Sequence, residues 1–312
     1  MYETVLHDFL KRVEEERLRV RNIRVLKDDE VIAQKDFTGV TRCNICSCSK
    51  SFTSIGVGVA IEEGYLGLDE KIAEIFPEHI SNRSSENLKQ STVKNFLEMS
   101  SGLSSTLFTD NDEGRKTVKD WLTYFFQADF DYTPGAAFRY SNFNSYVLSC
   151  AVEKRTGRTL ADYMTPRVFE PLGIGNPCWI GCPMGHTVGY GTLLVTVDEL
   201  AALGQMLLNQ GSFGNRKIIS KDYLANAVRK HQDTTGFTGF SKLRDGKCRD
   251  FMYGYGLHYW MGRIPHSYFA AGLFGSYCIV LPDSNAVISI ISDEDNDSRI
   301  LTLAFDEIAG KL

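Results

Sequence analysis

The chain has 312 residues, 43% of them hydrophobic and 23% charged, with a formal net charge of −5. That composition is globular, and the length suits one large domain or two intimately joined lobes around a substantial core. The acidic balance and the lack of a long basic run speak against a nucleic-acid partner, and no apolar stretch approaches the length of a membrane span.

In chain order, Tyr2, Val5, Leu6, Phe9, Leu10 and Val13 recur at helical spacing, so residues 3 to 18 read as an amphipathic helix. The same opening segment lacks the apolar core of a signal peptide, and the expected location is the cytoplasm. Asn22 to Leu26 and Val31 to Phe37 read as strands joined by a hairpin turn at Lys27-Asp28-Asp29-Glu30. Ser49 to Glu62 is helical, with Gly64 as its stop. Residues 66 to 190 are mostly helical: Ser91 caps one helix, Trp121 to Phe126 lies in another, and Asn142 to Arg155 closes at Gly157. Thr196-Val197-Asp198-Glu199 is a capping box, and Ser220 caps the next helix, through Val228. Tyr253 to Trp260, Tyr268 to Leu281 and Ala286 to Ser292 then have strand composition, and a last helix runs from about Ser298 to Ala309. Strands at both ends with helices between predict an α/β (α+β) fold. Its antiparallel sheet is built from both termini and flanked by helices, with a mostly helical lobe inserted. The expected division of the single domain 1–312 is an α/β lobe of 1–65 and 191–312 and a helical lobe of 66–190.

The densest chemistry lies in RCNICSCSKSF, Arg42 to Phe52. Eight cysteines in a chain of this length do not suggest a disulfide framework. Cys43, Cys46 and Cys48 can be read as a metal cluster, but Cys-x-Cys fits one tetrahedral site poorly, and small apolar packing groups are the better reading. Ser47 and Lys50 share a helix face if a helix starts at Ser47, and a serine hydroxyl needs such a base to become a nucleophile. A lysine acting as base must lose its proton near neutrality, which requires burial or a cationic neighbour. Spacing alone does not decide, because Ser91-Thr92-Val93-Lys94 has it too and reads as a cap and a solvated side chain. Downstream, Tyr140-Ser141-Asn142 stands at a loop-to-helix corner. There a phenol can carry a proton and an amide can face a lysine or a substrate. A half-buried aromatic and a helix cap are the plainer alternative.

Taken together, Ser47-x-x-Lys50, Tyr140-x-Asn142, NFLEMSSGL (95–103), FEPLGI (169–174) and YGTLLVTVDELAALGQMLLNQG (190–211) resemble the serine β-lactamase and penicillin-binding-protein superfamily. The branch is that of class C β-lactamases, D-alanyl-D-alanine carboxypeptidases and family VIII esterases, and the resemblance runs over about residues 20 to 295. It implies that Ser47 forms an acyl-enzyme, that Lys50 and Tyr140 share the base role, and that Asn142 orients Lys50 and the substrate amide. It implies an oxyanion hole from the N–H groups of Ser47 and Leu273, and no metal or organic cofactor. The third motif departs from the family, whose strand carries Lys-Thr-Gly or His-x-Gly. Here Ala270-Ala271-Gly272 stands there, so no cation holds a substrate carboxylate, as in esterases and 6-aminohexanoate-dimer hydrolases of the superfamily. His266 reads as a strand-end residue, and His186 as a loop histidine outside the catalytic set.

The expected function is a serine hydrolase of small esters or amides. The alternatives are a β-lactamase or D-Ala-D-Ala carboxypeptidase-type penicillin-binding protein, a non-catalytic binding protein on the same fold, and a thiol–metal protein. The expected partner is a small ester, amide or lactam, with neither nucleic acid nor membrane.

Overall fold

The computed structural model describes residues 3–104, 113–237 and 249–312. Its main sheet has six antiparallel strands: β1 (Val20–Lys27), β2 (Glu30–Asp36), β3 (Trp260–Met261), β4 (Tyr268–Gly272), β5 (Ser276–Leu281) and β6 (Ala286–Ser292). Their order in space is β2-β1-β6-β5-β4-β3. β1 therefore pairs with β6, and the two termini close one sheet, as Ile23 opposite Ile290 and Val25 opposite Ile288 illustrate.

Both faces of that sheet are covered, which is why every residue of β5 and β6 is buried and most of them are apolar. Tyr277, Ile279, Ile288 and Ile290 pack with Leu6, Phe9 and Val13 of α1 (Glu3–Glu15) and with Ile300, Leu303 and Phe305 near the C-terminus. Cys278, Val280 and Val287 face the other way, toward α2 (Ser49–Glu62), α3 (Asn142–Thr156) and α4 (Val197–Leu208). Gly204 lets α4 lie on the sheet: a Cβ there would stand 2.4 Å from Val287 Cγ1. Buried Arg24 ties the layers, donating to Asp198 at 2.7 Å and to Asp36 at 2.8 Å.

Several local expectations change. The β1–β2 turn is a two-residue hairpin with Asp28 and Asp29 at positive φ, so both strands reach closer to it than the sequence pattern indicates. Tyr253 to Tyr259 is not a strand. Gly254 (φ 130°) and His258 (φ 66°) bend it, and its backbone bonds to residues 227–232 instead, with Leu257 N–H donating to Ala227. Tyr268 to Leu281 divides into β4 and β5 at a tight turn with Phe274 and Gly275 at positive φ. The expected cap at Ser91 is corrected: Thr92 forms the capping box with Asn95, while Ser91 is buried one residue earlier. The boxes and caps at Thr196 and Ser220 stand as expected. Among the described residues, no helix is long and apolar enough to cross a membrane.

Candidate active site

Ser47 sits where the chain turns into α2. Cys46, just before it, adopts φ 48°, a left-handed conformation costing a non-glycine residue roughly 1–2 kcal/mol. The Asn44 side chain holds the bend, its Oδ1 accepting from Cys46 N–H at 2.9 Å and Thr192 N–H at 3.1 Å. A short 3-10 turn, Cys46–Cys48, then runs into α2, so Ser47 lies at the entrance of a continuous helical segment. One turn on, Lys50 is 1% exposed and its Nζ lies 2.9 Å from Ser47 Oγ.

The lysine nitrogen meets two further acceptors, Asn142 Oδ1 at 2.8 Å and the Tyr190 carbonyl at 3.0 Å. All three are neutral oxygens. Loss of hydration in this buried position therefore dominates, and it brings the ammonium down from the ordinary 10.5 to about 7. Tyr140, half-buried, hydrogen-bonds Ser47, and its ring centroid lies 4.8 Å from Lys50 Nζ. Burial raises its phenol well above the usual value, so it is a neutral proton donor at pH 7. Tyr140 stacks on Trp260 with centroids 5.7 Å apart, and Trp260 and Tyr255 are buried behind it as core.

The Tyr140 corner is built on Met99, which occupies φ 58°. Its carbonyl accepts from Arg139 N–H at 2.7 Å. Its sulfur accepts from Ser141 N–H at 3.5 Å and from the Asn144 amide at 3.4 Å. Ser141 is the N-cap of α3, and Asn142, the first residue of that helix, turns its amide oxygen to the lysine. The corner thus turns a helix start into a lysine acceptor.

On the sheet side, the end of β4 abuts the Ser47 turn. A Cβ on Gly272 would stand 2.1 Å from the Ile45 carbonyl and 3.2 Å from Cys48 N, so only glycine fits. Ala270 lies two residues away on the same strand and is 2% exposed, and it brings no charge to this wall. Leu273 and Phe274 follow as exposed apolar side chains.

Tyr190 was not singled out in the sequence. Its backbone is clamped from both sides: Thr53 Oγ1 donates to the Gly189 carbonyl at 2.6 Å, and Trp179 Nε1 to the Gly191 carbonyl at 2.8 Å. Gly189 (φ 72°) also passes so close to Ser145 that a Cβ would stand 2.8 Å from its carbonyl. The aromatic residue between two glycines was the available signal.

Other candidates lie apart. His266 is exposed and pairs with Asp283 at 2.9 Å, and His186 pairs with Glu153 at 3.0 Å. Ser145 and His258 form a hydroxyl–imidazole pair at 2.9 Å, yet Ser145 is fully buried and His258 is 2% exposed, so no substrate reaches them. Of the cysteines, Cys48, Cys150, Cys182 and Cys278 are buried in the core and Cys43 packs against it half-buried, so the reading as packing groups holds for these five; Cys46 is partly exposed and Cys178 is exposed. Cys248 lies outside the described residues. Among those residues, no three His, Cys, Asp or Glu side chains are grouped to hold a metal.

The beta-lactamase family model matches residues 11–310. The chain belongs to that family. It is 23% identical to penicillin-binding protein 4 of Amycolatopsis lactamdurans over 300 residues, covering 85% of this chain and 76% of that protein. A shorter match, 25% identical over 134 residues, is to the protein flp of Staphylococcus aureus, covering 42% of this chain and 27% of that one. The crystal structure of a family VIII carboxylesterase superposes with a TM-score of 0.72 at 15% identity, covering 98% of this chain and 97% of that one, a likeness of fold. The beta-lactamase-fold hydrolase family, with its esterase and penicillin-binding-protein-like neighbours, is thus the setting of this site.

Proposed function

We propose that the protein is a serine hydrolase that cleaves small ester or amide bonds through an acyl-enzyme on Ser47. The observation that carries this reading is the buried Lys50 ammonium, 2.9 Å from Ser47 Oγ and surrounded by neutral acceptors. A lysine poised near neutrality can take a serine proton, whereas one paired with a carboxylate would stay charged.

In the first half-reaction, Lys50 takes the Ser47 proton as Oγ bonds to the substrate carbonyl carbon. The tetrahedral oxyanion is stabilised by the N–H groups of Ser47 and Leu273, on the turn and strand end that Gly272 allows to meet. When the carbon–leaving-group bond breaks, the neutral Tyr140 phenol gives its proton to the departing oxygen or nitrogen, and the proton on Lys50 restores the phenol. Water then attacks the acyl-enzyme, its proton passing through Tyr140 and Lys50. The acid is released with Ser47 as a hydroxyl again. The sum is ester or amide plus water giving acid plus alcohol or amine. Asn142 keeps Lys50 aimed at Ser47. This assigns Lys50 the base role and Tyr140 the proton delivery, a sharper division than the shared role expected from the family resemblance.

Ala270, which stands where the resemblance expects a cation, leaves a substrate carboxylate without a partner on β4 and so favours ester or amide hydrolysis over efficient lactam hydrolysis. The test is p-nitrophenyl butyrate turnover and fluorophosphonate labelling, read by intact mass, in wild type, Ser47→Ala and Ser91→Ala. Turnover and label lost in Ser47→Ala alone are expected. A wild type that is neither labelled nor active sinks the reading and favours a binding protein on this fold.

A further inference from the structure

The sheet wall of the cleft carries no cation at Ala270, but a guanidinium is tied to the site from the helical side. Arg115, on the short helix Glu113–Thr117, donates from Nη1 to Tyr190 Oη at 2.9 Å, and its guanidinium lies 5.6 Å from the centre of the Trp121 ring. Tyr190 is the residue whose carbonyl receives Lys50, and its ring centre lies 5.7 Å from Lys50 Nζ. One phenol ring and one hydrogen bond therefore separate Arg115 from the general base.

That spacing is held rigidly. The carbonyls of Gly189, Tyr190 and Gly191 each accept a side-chain hydrogen bond, from Thr53, Lys50 and Trp179, and the next N–H, of Thr192, is held by Asn44. The Tyr190 backbone cannot swing without breaking four contacts, one of them to the catalytic lysine. A guanidinium is a planar fork matched to a carboxylate, and an indole face beside it adds an attractive contact at little cost in hydration. An arginine serving only to brace Tyr190 would make the same contact to Oη, so the two roles must be separated by substrate charge.

We propose that Arg115 is a specificity-determining residue that binds a substrate carboxylate a few bonds from the scissile carbonyl, against the Tyr190–Trp121 wall. This rests on Ser47 being the nucleophile. It places the carboxylate on the Tyr190 side of Lys50, away from the strand where Ala270 stands, so the preferred substrates are half-esters or half-amides of dicarboxylic acids, or esters of carboxylated alcohols.

Two matched pairs of aryl esters test it and locate the charge. Mono-p-nitrophenyl adipate is compared with p-nitrophenyl hexanoate for the acyl side, and carboxy-p-nitrophenyl butyrate with p-nitrophenyl butyrate for the leaving side. Wild type is expected to favour the carboxylated member of one pair by roughly ten-fold or more in kcat/KM, chiefly through KM, the scale of one charge-assisted hydrogen bond. Arg115→Met should abolish that preference and Arg115→Lys should keep part of it. Because each ratio is taken within one variant, a general loss of folded or active enzyme cancels. No carboxylate preference in wild type, or one that survives Arg115→Met, overturns the proposal. Calorimetric titration into Ser47→Ala of two matched amide pairs, adipic acid monoanilide with hexananilide for the acyl side and 4-butyramidobenzoic acid with butyranilide for the leaving side, separates this from failure of the nucleophile. Binding of the acid but not its neutral partner in one pair, lost in Ser47→Ala/Arg115→Met, supports the Arg115 site even without turnover, and equal or absent binding within both pairs overturns it.

Discussion

In the proposed mechanism Lys50 is the base, and its environment makes a definite demand on pH. Activity should rise as Lys50 loses its proton, giving an acidic limb in kcat/KM with a midpoint near the lysine's value of about 7. His258, buried nearby and brought down to about 3 chiefly by loss of hydration, stays neutral through that range and adds no second limb. A kcat/KM that is flat from pH 5 to 9 would remove Lys50 from the base role. Lys50→Met should cost roughly 10²- to 10⁴-fold in kcat, the usual worth of a positioned base, while the mutant stays folded by circular dichroism. Tyr140→Phe retains the stack on Trp260 but loses the proton that reaches the leaving group. Its loss should therefore be larger for alkyl esters and amides than for p-nitrophenyl esters, whose leaving group departs without protonation. Equal losses on both would move Tyr140 from proton delivery to structure.

Two elements are specialised to bring these side chains together, and each has a residue that can be tested alone. Gly272 ends β4 against the Ile45 carbonyl, where a methyl group would stand 2.1 Å from oxygen. Gly272→Ala must push the strand end off the Ser47 turn, with an expected cost of about 1–3 kcal/mol in unfolding free energy and a fall in kcat beyond what the loss of folded protein accounts for. Wild-type kcat in that variant would show that the strand end does not contribute to the oxyanion site. Met99→Leu keeps the volume but removes the sulfur that accepts from Ser141 N–H and the Asn144 amide. Leaving those buried donors unmet should cost about 1–3 kcal/mol. Much of this scale was legible in the sequence. The pairs Ser47–Lys50 and Tyr140–Asn142 are local, and local spacing survives folding. Met99 and Arg115 were not legible, and Tyr190 showed only as an aromatic between two glycines, because each acts through a contact to a segment tens of residues away that no spacing encodes. The Ser91 cap was misread for a simpler reason: two hydroxyl residues stand side by side, and only the backbone decides which of them caps.

At the scale of the whole molecule, the sheet was readable because β5 and β6, buried on both faces, are rich in apolar and β-branched residues near the C-terminus, while β1 and β2 show a hairpin pattern near the N-terminus. Tyr253 to Tyr259 shares that composition and is no strand, since Gly256 packs so closely that a Cβ would stand 2.2 Å from the Ala227 carbonyl. The fold also carries a stability cost for its active site that can be measured against pH. In the unfolded chain Lys50 titrates near the ordinary 10.5, whereas in the folded protein it titrates near 7. Between these values the unfolded state binds more protons than the native one, so this group makes stability rise with pH across that window and contributes no slope below it. Replacing Lys50 by methionine removes the term while leaving the other titrating groups in place. The unfolding free energy of wild type minus that of Lys50→Met, from urea titrations at pH 6, 7, 8 and 9, should therefore be level up to about pH 7 and climb beyond it, by roughly 1.4 kcal/mol per pH unit at its steepest. A difference that stays level to pH 9 would mean that Lys50 keeps an ordinary proton affinity in the folded protein, and that the base at Ser47 must be sought in Tyr140.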